Sequence, residues 1–427
     1  MRSFFYRGSF FLLLALAILG VARPSAAQDK LLINMDLEQT DHLKAYGVTF
    51  WALKQNMSVD WLLNYRGGSF IADYTDQLAA ECRIRGVAFE KIDASTAQSI
   101  YDLVQGDDKN MDVVKLEKAP RIAVYVPPGN QPWDDAVTLA LDYAEVPYDK
   151  VWDDEVIAGT LAKYDWLHLH HEDFTGQYGK FYGNYSNAPW YQAQVRMLEA
   201  EAHKLGFAKV SEEKRAVALK IKQFVGNGGY MFAMCSATDT YDIALASEGT
   251  DICESVFDGD PVDPDYQKKL DYSKCFAFEN FRVEPNPMLY QFSDIDIQPN
   301  EVGSQENDYF TLFEFSAKFD PVPTMLTQDH VNVIKGFMGQ TTMFHKELVK
   351  KSVTILAERQ GTDQVRYLYS NYGRGFFAFY GGHDPEDYQH RVGDPPTDLR
   401  LHKNSPGYRL ILNNVLFPAA KKKKLKT

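Results

Sequence analysis

The sequence predicts an α/β protein: a doubly wound parallel sheet preceded by a smaller α/β unit. Three observations carry that expectation. From residue 121 onward, short apolar runs alternate with amphipathic segments, as βα repeats do. Between residues 211 and 242 an amphipathic helix, a glycine-rich stop, a buried strand and Cys235 follow one another. Near the end, a second apolar strand delivers Gly381-Gly382-His383. In parallel sheets of this kind the ligand crevice lies at the carboxyl ends of the strands, which is where both motifs fall.

Taken in order, residues 1–27 have the form of a secretory signal. Arg2 and Arg7 precede an apolar core over 10–21, and Ser25-Ala26-Ala27 offers a small-residue cleavage site. The expectation is an exported protein, periplasmic or secreted, with no membrane partner once the signal is removed. No later run approaches ~20 apolar residues. The whole chain has 45% hydrophobic and 14% aromatic residues, ample for packed cores, and a formal charge of −13. Without Arg2, Arg7, Arg23 and the five lysines of the 421–427 tail, the body stands at −21. Such a surface repels phosphate backbones, so nucleic acid is not an expected partner. The tail reads as a solvated terminus.

Residues 29–118 read as a unit of their own. Strands are expected over 31–35, 59–64 and 87–92, with helices over 43–53 and 75–84. Tyr65-Arg66-Gly67-Gly68-Ser69 reads as a tight turn, with anion binding through backbone N–H groups as the alternative. The second unit spans 119–420. A strand over 121–126 leaves through Pro127-Pro128-Gly129-Asn130, and a helix with Pro132 near its start runs to about 145. Val151 starts a second strand, and 164–170 is a third.

That third strand ends in His168-Leu169-His170-His171-Glu172-Asp173, the densest polar cluster in the chain. His168 and His170 share a strand face, as converging metal ligands do, but a third ligand would have to come from elsewhere. Hydrogen bonding is the favoured reading, and neither metal nor cofactor is expected.

Ser211 is placed to cap the next helix, whose buried face is Val217, Ile221 and Phe224. Gly226-Asn227-Gly228-Gly229 stops it, and 230–234 is an apolar strand running into Cys235. Ala233 and Ala237 flank the cysteine by two positions, and Thr238-Asp239-Thr240 suits a polar turn or a helix start. This is the layout of a nucleophile elbow. A helix N-terminus behind a thiol favours its anion and stabilises an oxyanion. Of the other cysteines, Cys253 and Cys275 are a candidate bridge, which leaves Cys235 as a free thiol.

Residues from about 245 to 345 form an expected insertion or cap. Its Asp258, Asp260, Asp263 and Asp265 lack the spacing of a calcium loop and read as solvated. Finally, strands over 365–371 and 375–380 flank a Tyr372-Gly373-Arg374 turn as a hairpin. His383 follows, with Asp384 or Glu386 to orient its ring, Glu386 being favoured.

The elbow run and the Gly-His-Asp-Pro-Glu run together resemble the class I glutamine amidotransferase-like superfamily. Within it they most resemble trehalose-utilisation-like domains. Those domains usually place a histidine at the position of Cys235; amidotransferases place cysteine there but favour glycine at Ala233 and Ala237. The resemblance implies a flavodoxin-like sheet over about 121–418, with Cys235, His383 and Glu386 catalytic. It also implies a substrate pocket built from His170, His171, Glu172, Asp173 and Asp239. Chains with a similar N-terminal portion sometimes carry the label asparagine synthetase B. The motifs of that chemistry are missing: the first cysteine is Cys82, and Arg66-Gly67-Gly68-Ser69 is not an ATP loop.

Two functional classes follow. One is a cysteine hydrolase or amidase acting on a small amide or glycan-derived substrate. The other is a non-catalytic, sugar-handling module, for which Phe181, Tyr182, Tyr185, Trp190 and Tyr191 would offer stacking faces.

Overall fold

Short strands and amphipathic helices need surfaces on which both bury their apolar sides, and the chain builds two sheets for the purpose. The structure, a computed structural model, describes residues 28–129, 133–297, 299–302, 305–389 and 391–420. The expected signal at 1–27, the tail at 421–427, and Asn130 and Pro132 lie outside the described residues.

The first sheet comprises β1 (Lys30–Ile33), β2 (Val59–Leu63), β3 (Ser69–Asp73), β4 (Glu90–Ile92) and β5 (Asp112–Leu116), in the order β4-β1-β3-β2-β5. All its pairings are antiparallel. β3, β5 and the helix Ala94–Gln105 are additional to the elements expected from sequence. β2 and β3 form a hairpin through Tyr65-Arg66-Gly67-Gly68, where Gly67 and Gly68 take positive φ. Arg66 pairs there with Asp36, Glu38 and Glu90, so the chain's own carboxylates occupy that cation.

The second sheet takes up β6 (Ile122–Tyr125), β7 (Asp149–Val151), β8 (Trp166–Leu169), β9 (Tyr230–Met234), β10 (Tyr309–Leu312), β11 (Val333–Lys335), β12 (Phe344–His345), β13 (Thr354–Glu358), β14 (Gln364–Tyr372) and β15 (Gly375–Tyr380). Its order is β11-β10-β13-β14-β15-β9-β8-β6-β7, with β12 on β14. The run β7-β6-β8-β9-β15 is parallel. The remaining pairings are antiparallel, so the sheet is mixed where a parallel one was expected. The 365–380 hairpin supplies the turning point, because β14 runs back against β15. The 245–345 stretch contributes β10 and β11 to the far edge.

Three local expectations are corrected. Val151 ends β7 instead of starting it. The helix after β6 begins at Ala136, capped by Asp135, whose carboxylate accepts from the Val137 and Thr138 amides at 2.8 and 2.9 Å. Ser211 lies inside the helix Val210–Gly226 and does not cap it.

Side chains alternate across β9 into two cores. Tyr230, Phe232 and Met234 join one apolar cluster, and Met231 and Ala233 the other. The first cluster also contains Trp61 and Phe70 of the smaller sheet, so the two sheets share one core. The helices His42–Lys54, Ala136–Ala144 and Pro406–Leu416 pack together between them. At their crossing Gly47 leaves no room for a side chain: a Cβ there would lie 1.8 Å from the Ala144 carbonyl oxygen. Gly47→Ala is therefore expected to lower unfolding stability by about 1–3 kcal/mol, the usual cost of overpacking, as read by denaturant or thermal unfolding.

Candidate active site

β9 ends at Cys235 with a sharp reversal. Cys235 has φ of 49°, a left-handed conformation that costs a non-glycine residue roughly 1–2 kcal/mol. The helix Ala237–Ala246 starts two residues later. Backbone bonds hold the turn: the Cys235 amide donates to the Gly382 carbonyl at 3.1 Å, and the Ala237 amide to that of His170 at 3.0 Å. The residue is buried, with 1% of its surface exposed, and its Sγ accepts from the Gln340 amide at 3.3 Å.

β15 delivers His383 beside it. The chain bends at Gly382, φ 100°, where a Cβ would lie 2.3 Å from the Phe337 ring. Gly339 packs backbone to backbone on this bend; a Cβ on it would meet Gly382 at 2.9 Å. Asp134 and Cys235 are the side chains that act most strongly on His383 electrostatically. Its Nδ1 lies 3.1 Å from His170 Nε2, and its Nε2 lies 3.0 Å from the Asp134 carbonyl oxygen and 3.5 Å from Asp134 Oδ1. Burial alone would lower its pKa, but Asp134 and the Cys235 sulfur outweigh that and raise it to about 10.

The acid beside His383 is thus Asp134, not Glu386. Glu386 accepts from the Tyr388 hydroxyl at 2.9 Å and pairs with His402 at 3.0 Å. Asp384 is buried and accepts from the Glu386 amide at 2.8 Å. Both acids face the 386–408 side of the loop, away from the ring that sequence proximity suggested.

Behind His383 stands a chain of three buried imidazoles. His170 Nδ1 lies 3.2 Å from His168 Nε2, and His168 Nδ1 lies 3.1 Å from the Phe232 carbonyl oxygen. Carbonyls only accept, so the nitrogen at each end of the chain carries hydrogen. Each of the two inter-ring links needs one more. The three rings therefore hold four N–H groups, one more than three neutral imidazoles, and the chain carries one positive charge. Asp135 Oδ1 faces it at 3.5 Å from both His168 and His170. Burial works to raise the Asp135 pKa, but these two histidines hold it well below the ordinary value.

The other residues expected at the pocket fall into place as follows. Glu172 is buried, accepts from the His170 amide at 2.9 Å, and is raised to about 8 by burial. His171 lies 3.9 Å from it, edge-on to Trp133. Asp173 accepts from the Thr175 and Gly179 amides at 2.7 and 3.0 Å and so shapes its own loop. Asp239 lies in the first turn after the elbow and accepts from the Thr341 hydroxyl at 2.9 Å.

Residues 338–342 close over the site. Met338 and Thr341 carbonyls accept from the His383 and Gly382 amides, at 2.9 and 2.8 Å, and Gln340 Nε2 donates to the Gly179 carbonyl at 2.8 Å. Asp134, Asp135 and Gln340 escaped the sequence reading. The pair of glycines that fit each other's backbone, Gly339 and Gly382, was the one available sign for Gln340.

The four cysteines are free and buried, so Cys253 and Cys275 are not bridged. Their thiols donate to the Thr175 and Asp242 carbonyls, each at 3.3 Å. Asp251 and Asp258 clasp Lys209 at 2.7 and 3.0 Å, with Asp260 beside them. The aromatic residues proposed as stacking faces pack on one another instead. Phe181 stacks on Trp133 at 5.1 Å and meets Trp190 edge-on at 5.2 Å, and Trp190 meets Tyr185 at 5.2 Å.

No family model matches the chain, and no curated protein matches it. Among solved structures it is similar to the cytoplasmic protein STM3548 of Salmonella typhimurium, with a TM-score of 0.35 at 11% identity. That likeness covers 71% of this chain and 100% of the other. It is likewise similar to the cytoplasmic protein STM1381 of Salmonella typhimurium LT2, with a TM-score of 0.34 at 12% identity, over 70% and 100% of the two chains. Likenesses this distant carry no argument about the site.

One titration follows from the geometry. Burial raises the Asp239 pKa to about 7, with Asp173 adding to it and the Thr341 and Thr240 hydrogen bonds opposing. An acid whose folded pKa is raised keeps its proton longer in the folded state, so its contribution to stability falls as pH rises from about 4 to 7. Asp239→Asn removes that fall. The stability of the variant relative to wild type is expected to increase steadily across this range, as read by denaturant unfolding at several pH values.

Proposed function

We propose that this chain is a cysteine-dependent hydrolase or amidase of the class I glutamine amidotransferase-like type, acting on a small amide or glycan-derived substrate. One observation carries the reading: Cys235, held in left-handed backbone at a strand end, acts electrostatically on an imidazole that Asp134 also holds. The parallel order β7-β6-β8-β9-β15 supports a doubly wound, flavodoxin-like core, since it is the 2-1-3-4-5 order with the crevice between β6 and β8. Cys235 is the nucleophile. On this reading His383 takes the thiol proton and returns it to the leaving group, for which one of its two ring contacts, to His170 or to the Asp134 carbonyl, has to open. Asp134 orients the imidazole in the place first assigned to Glu386. The helix Ala237–Ala246 begins two residues after the cysteine, as the elbow layout requires. Because the Gln340 amide sits on Sγ, substrate reaches the sulfur only when residues 338–342 lift away.

A second reading, a non-catalytic binding module, is favoured by that same burial of the sulfur. Activity-based labelling separates the two. A small thiol-directed electrophile, with the modified site located by mass spectrometry, is expected to label Cys235 stoichiometrically. Labelling and turnover are expected to vanish in Cys235→Ser, a nearly isosteric change that leaves thermal unfolding in place. Asp134→Asn is expected to cost at least tenfold, whereas Glu386→Gln costs little. Undiminished turnover in Cys235→Ser would remove Cys235 from the chemistry, whereas the absence of both labelling and turnover in the wild type would favour the binding module.

Export to the periplasm or medium belongs to the same proposal, carried by the pattern of residues 1–27. Intact-mass analysis of the protein from its native host is expected to show the chain starting near residue 28. Retention of Met1 and the apolar segment would refute it.

A further inference from the structure

We infer that Asp135, His168 and His170 form a binding site for one divalent transition-metal ion of the zinc class. The sequence offers two histidines on one strand face and lacks a third ligand; the fold supplies it from the cap of the helix after β6. The donor atoms are His168 Nε2, His170 Nδ1 and the Asp135 carboxylate. Their separations are 3.2, 3.5 and 3.5 Å. Bonds of about 2.0–2.1 Å in tetrahedral geometry set donors about 3.3–3.4 Å apart, so all three edges fit one ion.

Hydrogen bonding explains this triangle less well. A charge-assisted bond between Asp135 and either ring would draw that pair to about 2.7–2.9 Å. Asp135 Oδ1 instead stands equally far from both. Its other oxygen, Oδ2, is buried with no hydrogen-bond partner, on a residue only 8% exposed. The ligand atom of the triangle is Oδ1, which also accepts from the Val137 and Thr138 amides; an unpaired buried Oδ2 is costly, and a water on the ion beside it removes the cost.

The surroundings have the form of a ligand-orienting shell. His168 directs Nδ1 at the Phe232 carbonyl, which leaves Nε2 for the ion. Asp135 is fixed by the Val137 and Thr138 amides. His170 turns Nε2 toward His383. The ion also satisfies the charge count. It takes the place of the proton between His168 and His170, after which His170 Nε2 donates to His383 Nδ1 and every link is filled with neutral rings. Two nitrogens and a carboxylate in a dry, close-packed setting suit zinc or cobalt, whereas calcium and magnesium require more oxygen ligands. A neighbouring group, His170, His171 and His383, shares one ring with this set. Its His170–His383 contact of 3.1 Å is already accounted for as a hydrogen bond.

The inference does not rest on a catalytic Cys235, and its test contains no turnover step. The untagged full chain, reconstituted with ZnCl₂ and gel-filtered, is expected to retain one zinc per chain by elemental analysis. CoCl₂ in its place is expected to give visible ligand-field bands of four-coordinate intensity. Anomalous difference maps at the zinc edge are expected to place the ion between Asp135, His168 and His170. His168→Ala and Asp135→Asn are each expected to weaken retention at least tenfold in competition with a chromogenic chelator. Should either variant fail to fold, the wild-type cobalt spectrum and the anomalous peak decide. Zinc far below one per chain in the folded wild type overturns the inference, as does a peak elsewhere, for instance at Asp251, Cys253 and Asp258.

Discussion

The site depends on strands that end level with one another. Parallel pairing sets β9 against β15 so that Met234 lies beside Tyr380, and sets β8 against β9 so that Leu169 lies beside Ala233. The residues that follow are then neighbours by necessity: Gly381 beside Cys235, and His170 beside Met234. A bond from the Cys235 amide to the Gly382 carbonyl closes that edge. Register, not sequence proximity, brings Cys235 to the strand end that carries an imidazole 148 positions away. A slip of one residue in either pairing would turn the sulfur or the ring to the opposite face of the sheet.

Dryness then decides how the charges behave. Asp135, His168, His170 and Glu172 are all buried, and each is held by protein groups. Each shift has a named cause: Asp134 and Cys235 for His383, two histidines for Asp135, and burial with Asp135 adding to it for Glu172. The arrangement accommodates a positive charge only in fixed places, which is why the imidazole chain is legible as a count of hydrogens.

The strands carrying the site were readable because their residues are apolar on both faces and stop at glycines or polar clusters. The 211–242 run announces its helix, stop, strand and cysteine in the correct order, and the 365–380 hairpin follows from its turn. The mixed edge was less readable. β10 and β11 are short and pair with strands far along the chain, and nothing local records which neighbour they choose. The same holds for Asp134 and Asp135. They sit in a loop whose own sequence suggests only a helix start, and their partners are His383, His168 and His170, distant in sequence. Glu386 was the reasonable local choice for an acid beside His383, but Pro385 and the Tyr388 and His402 contacts draw it elsewhere.

The first and last parts of the chain are woven together. Arg409, in the final helix, donates to the Met35 carbonyl at 2.8 Å and to the Tyr46 hydroxyl at 3.1 Å, and it also reaches the Gly67 carbonyl. Glu117, just past β5, donates its amide to the Ala419 carbonyl at 3.0 Å. The smaller sheet, built from residues 30–116, therefore cannot finish burying its helix until residues 406–419 have been made. Synthesis order and assembly order are opposed in this chain: its earliest-made apolar surface waits longest for cover, and that interval is when it is most exposed to chaperones and to aggregation.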